Sequence, residues 1–196
     1  MIIYDNILFH NVEELEKTES GMKFWRLPSP VRAQLSENLR TNTARFGTGI
    51  ELRFKLQEDK AVIHLVAEPG EEADTCFIYY GSIQGGWQYS SKVIRTEDTA
   101  ITVVQPANLD RLKEITKEQH LPFDPEVVRI VLPYENIYYL GHEGAIVPPE
   151  KEDLPEKTYL AYGSFISQDL VHPSLEGAWA IGERWHAVME TVIGRT

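Results

Sequence analysis

The chain has 196 residues, of which 42% are hydrophobic and 25% are charged, and its formal net charge is −11. This composition supplies enough apolar material for a folded core and excludes disorder along the whole chain. Because an acidic chain repels phosphate groups and no Lys/Arg cluster offsets the repulsion, we expect neither nucleic acid nor a membrane surface as a partner.

The first residues lack the basic and long apolar segments of a signal peptide. No stretch approaches the roughly 18 uninterrupted apolar residues that a membrane-spanning helix needs, so we expect a cytoplasmic protein. The single cysteine, Cys76, lies in an apolar run without a basic neighbour. We therefore expect a buried structural thiol rather than a nucleophile, and we predict no cofactor and no metal site.

From residue 1 to about 150 the hydrophobic pattern has a period of two, which indicates strands. Residues 50–56 alternate strictly, and residues 61–67 follow them after a polar turn. Further strands are predicted at residues 75–80, 86–89, 100–104 and 127–132. We predict a mainly β fold, in which residues 1–147 form an antiparallel, jelly-roll-like β-sandwich with short helices.

Two helical segments interrupt this pattern. Residues 30–39 place Val31, Leu35 and Leu39 on one face, and Ser29 is the predicted N-cap, with Pro30 at the first helical position. Residues 109–117 are predicted to form a second short helix capped by Asn108. We expect both segments to cover the sandwich rather than to bind a ligand.

The composition changes after residue 147. Residues 148–157 are rich in proline and charge, which is typical of an extended linker. Residues 158–162 form a short apolar run of the kind that is buried in a parallel sheet. A helix is predicted from about residue 175 to residue 193, with Ser174 as its cap and Gly194 after its end. Residues 158–196 are thus predicted to be the strand, loop and helix that open an α/β domain.

Ser164 follows the carboxyl end of that predicted strand, where α/β enzymes keep reactive groups. From spacing alone, a structural serine in a turn is the more ordinary interpretation. The sequence is not the Gly-x-Ser-x-Gly elbow of α/β-hydrolases, because Phe165 and Ile166 follow the serine.

Residues 160–168 nevertheless resemble the first conserved block of SGNH (GDSL-like) hydrolases, whose esterase members commonly read Tyr-Gly-Ser-Ser-Ile-Thr-Gln-Gly. Gly163, Ser164, Ile166 and Gln168 fall into register with that block, and Ser167 stands in for the threonine. The upstream chain resembles the β-sandwich domain that precedes the catalytic domain in one branch of the family. The features of this second resemblance occur in the expected order at residues 26–39, 49–54 and 148–164.

The resemblance implies that Ser164 is the nucleophile and that its backbone N–H donates to the oxyanion. In the family a histidine, paired with an aspartate three residues before it, takes the serine proton near the C-terminus of the catalytic domain. Asp169 and His172 have that spacing, but they lie in the wrong block, directly after the serine. His186 has a glutamate, not an aspartate, three residues before it.

The chain also lacks part of the oxyanion hole that the resemblance implies. Family members complete it with a glycine and an asparagine from two further blocks. Gly194 lies about where the glycine would fall, without the neighbouring asparagine, and Asp169 replaces the glycine that ends the first block. The resemblance thus implies the N-terminal portion of a serine esterase that acts on carboxylic esters or acetylated carbohydrates and is inactive as this chain alone.

A non-catalytic carbohydrate-binding or protein-interaction module is the alternative. It depends on the aromatic residues Tyr79, Tyr80, Trp87 and Tyr89, which either stack on sugar rings or fill the core. The predicted helix of residues 175–193 cannot bury its apolar side chains alone, so we also expect a homodimer or an exchanged segment through residues 158–196.

Two other groups of residues are weaker candidates for a catalytic or metal site. His142 and Glu143 could form an acid/base or metal pair, but adjacent strand residues point to opposite faces, and we expect a turn there. The acidic runs at residues 68–72 and 150–156 are expected to be solvated loops rather than calcium sites.

Overall fold

A computed structural model of the chain describes residues 2–37, 44, 46–70, 74–86 and 88–156. These residues form thirteen strands: β1 Ile2–Tyr4, β2 Ile7–His10, β3 Glu14–Thr18, β4 Gly21–Trp25, β5 Glu51–Leu56, β6 Lys60–Ala67, β7 Asp74–Tyr80, β8 Ile83–Gln84, β9 Ser91–Ile94, β10 Thr99–Val104, β11 Val127–Val131, β12 Ile137–Glu143 and β13 Ile146–Val147. Among the helical segments of the described residues, α1 spans Ser29–Arg32, α2 spans Leu109–Glu118, and a 3-10 turn spans Lys151–Asp153.

The strands form two antiparallel sheets. The first sheet has the order β1-β2-β5-β11-β7-β8, with β13 beside β5 and β9 beside β7. The second sheet has the order β10-β6-β12-β4-β3. Strands β5 and β11 pair with Arg53 opposite Arg129, so the side chains of these two residues face the same side of the first sheet.

The core lies between the two sheets and draws on both. Phe9 and Phe54 from the first sheet and Phe24 and Ile63 from the second are fully buried in one cluster. The rings of Phe9 and Phe24 lie 5.4 Å apart, which joins the sheets directly. The predicted antiparallel β-sandwich with short helices is therefore confirmed.

The hydrophobic pattern located five of these strands. The predicted strands at residues 50–56, 61–67, 75–80, 100–104 and 127–132 correspond to β5, β6, β7, β10 and β11. The strand predicted at residues 86–89 is wrong, because the Tyr89 N–H donates to the Gly86 carbonyl at 2.8 Å and closes a turn. A Cβ on Gly85 would collide with the Tyr89 carbonyl, so this turn requires glycine there.

Residues 33–36 interrupt the first predicted helix, and its last two residues, 38 and 39, lie outside the described residues. Helix α1 ends at Arg32, and Pro28 rather than Ser29 is its N-cap. The Ser29 N–H donates instead to the Glu14 carboxylate at 2.6 Å, so a residue of strand β3 satisfies the helix start. The second helix, α2, agrees with its prediction to one residue, and Asn108 is its N-cap without a side-chain hydrogen bond.

Residues 148–156 carry more structure than the predicted extended linker. The Lys55 ammonium lies 3.1 Å from the Asp153 carboxylate, whose side chain is only 14% exposed. The Asp153 carbonyl also accepts the Asp124 N–H at 3.0 Å. The charges of this segment thus pair with the first sheet as well as with water.

Contacts along the chain define two compact units, Met1–Glu156 and Lys157–Thr196. The strand, loop and helix predicted for residues 158–196 lie outside the described residues. The domain limits given from the sequence, at residues 147 and 158, stay a prediction. Within the described part of the chain, no helix is both long enough and apolar enough to cross a membrane.

Candidate functional site

The predicted nucleophile, Ser164, lies outside the described residues. The same holds for the other positions weighed with it, which are Asp169, His172, His186 and Gly194. The role of Ser164 therefore stays a prediction, as does the dimer predicted through residues 158–196. The described polar and aromatic groups all belong to the sandwich.

The aromatic residues do not form one strip. Tyr79 and Tyr80 are neighbours on β7 and face opposite sides of the first sheet. Tyr79 lies on the outer side beside the Arg129 guanidinium, at 5.4 Å. Tyr80 is buried, and its hydroxyl donates to the Val104 carbonyl of β10 at 2.6 Å. Trp87 lies outside the described residues.

One end of the sandwich contains a groove of about 440 Å³. One wall is formed by strand β8 and the turn that contains Tyr89, and the other by residues 104–108, which connect β10 to α2. The hydrogen bond from Tyr80 to Val104 ties the two sheets together at the groove's base. Tyr80 and Tyr89 of its lining belong to the aromatic residues considered from the sequence for sugar stacking, whereas its other lining residues were not predicted.

A buried charge cluster lies on the outer side of the first sheet. The Glu51 carboxylate accepts hydrogen bonds from Arg53 Nε at 2.8 Å and from Arg129 Nε and Nη2 at 2.8 and 2.6 Å. The ring of Phe123 lies 4.1 Å from the Arg129 guanidinium and 5.0 Å from that of Arg53. Burial alone raises the pKa of Glu51, but the hydrogen bonds and charges of the two arginines outweigh it and lower that pKa.

The sequence could have shown part of this cluster. Glu51 and Arg53 alternate with apolar residues on β5, a pattern typical of a solvated face, yet both side chains are largely buried. Because Glu51 holds two guanidinium groups, which fill three of the about four acceptor positions of its carboxylate, we interpret the cluster as structural rather than catalytic.

His142 and Glu143 lie in strand β12, so the turn expected there is wrong. A register shift between Tyr139 and Gly141 marks a bulge, and Gly141 has a φ of +142°. The bulge lets Tyr139 and His142 share one partner: the Tyr139 hydroxyl donates to Asp5 at 2.6 Å and lies 3.0 Å from His142 Nδ1.

This Asp5 cluster fixes the turn between β1 and β2. Asp5 and Asn6 both have positive φ, at 50° and 59°, as a two-residue hairpin turn of type I′ requires. His142 Nδ1 also lies 3.2 Å from the Asp5 carboxylate. Burial and the hydrogen bond to Asp5 raise the pKa of Tyr139 well above its ordinary value. The three polar groups satisfy one another, and no nucleophile accompanies them among the described residues.

His64 and Tyr138 also have structural partners. His64 Nδ1 lies 2.9 Å from Asp98, and the Tyr138 hydroxyl donates to Glu68 at 2.7 Å. Cys76 is buried, as expected, and burial raises the pKa of its thiol to about 11. Within the described ranges, no group of three or more His, Cys, Asp or Glu side chains is arranged to hold a metal ion.

Comparison with known proteins gives a similarity of fold. No protein-family model matches the chain, and no curated protein sequence matches it. Among solved structures, the chain is similar to the salicylyl-acyltransferase SsfX3 from a tetracycline biosynthetic pathway, with a TM-score of 0.53 and 11% sequence identity. The similarity covers 74% of this chain and 39% of that protein, so the chain spans well under half of its length. At this identity the likeness concerns the fold alone.

Proposed function

We propose that this chain is the N-terminal portion of an SGNH-type serine esterase, in which a β-sandwich precedes the start of the catalytic domain. The observation that carries the proposal is the block of residues 160–168, in which Gly163, Ser164, Ile166 and Gln168 match the family's nucleophile block. The sandwich in residues 2–156 is the kind of domain that precedes this block in one branch of the family.

In this proposal the Ser164 hydroxyl attacks the acyl carbon of an ester. A serine hydroxyl needs a positioned base to take its proton, and a histidine and aspartate from a later block supply it in the family. Neither Asp169 with His172 nor His186 lies in the family's base block. The chain alone is therefore expected to be inactive, whereas the full-length protein would hydrolyse carboxylic esters or acetylated carbohydrates.

The similar structure bears on the sandwich alone, because at 11% identity the likeness is one of fold and does not extend to the activity proposed for Ser164. A cytoplasmic location, predicted from the sequence, belongs to the same proposal.

The proposal is tested with p-nitrophenyl acetate and three proteins: the 196-residue chain, Ser164→Ala and the matched variant Ser167→Ala. We expect all three to hydrolyse the ester at the same background rate, because no base activates the serine. A rate that Ser164→Ala removes and Ser167→Ala retains would contradict the expected inactivity.

A positive arm uses the same serine in a chain that includes a downstream Asp-x-x-His block. There Ser164→Ala is expected to lower kcat/KM by at least ~10³-fold, as loss of a nucleophile does in serine hydrolases. Unchanged hydrolysis after Ser164→Ala in that chain would overturn the proposal itself. The alternative from sequence, a non-catalytic binding module, depends on the sandwich and not on Ser164.

A further inference from the structure

The groove at the end of the sandwich plays no part in the proposed reaction of Ser164. It lies where β7 and β10 end, and helix α2 contributes Leu112 to its lining. Its volume of about 440 Å³ is within the roughly 300–1,000 Å³ typical of small-molecule sites. The groove is large enough to enclose a small ligand, so the chemistry of its walls can be used to infer the ligand class.

The described lining of the groove contains no charged side chain, although a quarter of the chain's residues are charged. A charged ligand would lose water in this groove without gaining a counter-ion. Its polar side chains are instead uncharged: Gln84, Gln105 and Asn108 carry amides, and Tyr89 carries a phenol. This lining favours a neutral ligand.

Two of these amides are available to a ligand. Within the described residues, the side chains of Gln105 and Asn108 make no hydrogen bond, and Asn108 leaves the start of α2 uncapped by its side chain. The Gln84 amide makes only a long bond of 3.4 Å to the Ser90 carbonyl. A carboxamide both donates and accepts, as does a sugar hydroxyl, so each amide can pair with one hydroxyl or with two adjacent ones.

The remaining walls are apolar. The ring of Tyr89 is half-buried, and Ile83 and Leu112 complete a surface of rings and methyl groups beside the amides. A pyranose ring presents C–H groups on its faces and hydroxyls around its rim, so it matches an aromatic face flanked by amides. A flat aromatic ligand would satisfy the apolar wall but would leave the amides unpaired.

We propose that this groove is a binding site for a neutral sugar ring, with Tyr89 packing on the ring's face and Gln105 and Asn108 pairing with its hydroxyls. The site stands independently of the proposed esterase reaction, since none of its residues belongs to the block around Ser164. The site also differs from the sugar-binding aromatic group considered from the sequence. Tyr79 lies on the other side of the sheet, and the Tyr80 hydroxyl donates to the Val104 carbonyl.

The test is a titration of the ¹⁵N-labelled chain, followed by amide chemical shifts, with methyl β-D-glucopyranoside, methyl β-D-galactopyranoside and N-acetylglucosamine. Glucuronate and glucosamine serve as negatively and positively charged analogues. We expect at least one neutral sugar to produce saturable shifts clustered at residues 83–86 and 104–108. Ser164→Ala is expected to give the same curve.

Variants assign the binding to the groove. Tyr89→Ala is expected to weaken binding about tenfold, and the exposed Asn108→Ala about three- to tenfold. Tyr134→Ala removes an exposed tyrosine that lies outside the groove, and this variant is expected to bind as the unchanged chain does. The folded state of each variant is checked by its own amide spectrum, and Asn108→Ala provides the answer if Tyr89→Ala does not fold.

Several results would overturn the assignment. They are the absence of saturable shifts with all three neutral sugars at tens of millimolar, shifts that cluster elsewhere, and equal or tighter binding of either charged analogue. Retention of full affinity in a folded Tyr89→Ala and in Asn108→Ala would also overturn it.

Discussion

Replacing Glu51 by glutamine perturbs the most heavily buried charge cluster in the described part of the chain. The substitution keeps the size of the side chain but removes the charge that Arg53 and Arg129 share. Only 13% of the Glu51 side chain and 7% of the Arg53 side chain are exposed, so water cannot take over its role. Two guanidinium groups would then face each other with a neutral amide between them.

The expected loss of stability follows from these contacts. Glu51 accepts three charge-assisted hydrogen bonds, at 2.8, 2.8 and 2.6 Å. Removing one partner of a buried ion pair typically costs about 3–5 kcal/mol, because the remaining charge is left uncompensated. Since the amide can still accept from one arginine, we expect the lower part of that range, about 3 kcal/mol. That is a large fraction of the roughly 5–15 kcal/mol that stabilises a domain.

The assay is urea unfolding at neutral pH, with the free energy of unfolding taken from the midpoint and slope. Glu114→Gln is the matched control, because Glu114 pairs with Arg111 at 2.9 Å while both side chains are more than half exposed. We expect this control to lose less than about 1 kcal/mol, as exposed ion pairs do. A loss below about 1 kcal/mol for Glu51→Gln, or equal losses for both variants, would refute the reasoning.

The same cluster predicts a pH dependence. The pKa of Glu51 is lower in the folded chain than its ordinary value, so the carboxylate stabilises the fold fully above that ordinary value, about 4.3. The stabilisation is lost as the pH falls from there through the folded pKa. The difference in unfolding free energy between the unchanged chain and Glu51→Gln should therefore be constant from pH 6 to 8 and shrink below about pH 4. A difference that grows in acid would have the wrong sign.

Three further predictions concern single residues. Cys76 should react with a thiol reagent at least ~100-fold more slowly in the folded chain than in urea, because burial raises its pKa to about 11; equal rates would show an accessible thiol. Gly81→Ala should lower the free energy of unfolding in urea by about 2–3 kcal/mol, because φ at Gly81 is +59° and a Cβ there would lie 2.8 Å from Pro125 Cα. The control is Gly86→Ala, where a Cβ would meet no atom within 4 Å, and it should change that free energy by less than about 0.5 kcal/mol. Tyr139→Phe removes the hydroxyl that donates to Asp5 and should lower stability by about 1 kcal/mol in thermal unfolding; no change would mean that the bond contributes nothing.

The sequence predicts β5, β6, β7, β10 and β11, whose hydrophobic pattern follows directly from burial, but it does not predict the inner strands β2, β4 and β12. In β6, residues 61, 63, 65 and 67 are buried and the residues between them are not, as the alternation indicates. The edge strand β3, Glu14–Thr18, has a single apolar residue, so its hydrophobic pattern carries no such signal. Its pairing with β4 depends on partners that local sequence does not contain.

Two of the errors come from contacts between residues that are distant in sequence. The Glu14 carboxylate accepts the Ser29 N–H at the helix start, where Ser29 was predicted to be the cap, and Lys55 holds Asp153 in a segment that composition assigned to a linker. The groove illustrates the same point. Tyr89 was recognised as a candidate for sugar stacking, but Gln105 and Asn108 join it only through the packing of two sheets.

The central claim is that Ser164 occupies the nucleophile position of an SGNH-type esterase. The most direct measurement is the sequence of the gene read past the codon for Thr196 in all three frames. The account predicts the later family blocks in order: a glycine and an asparagine for the oxyanion hole and then Asp-x-x-His. A reading in which no frame encodes an Asp-x-x-His block in that order would contradict it.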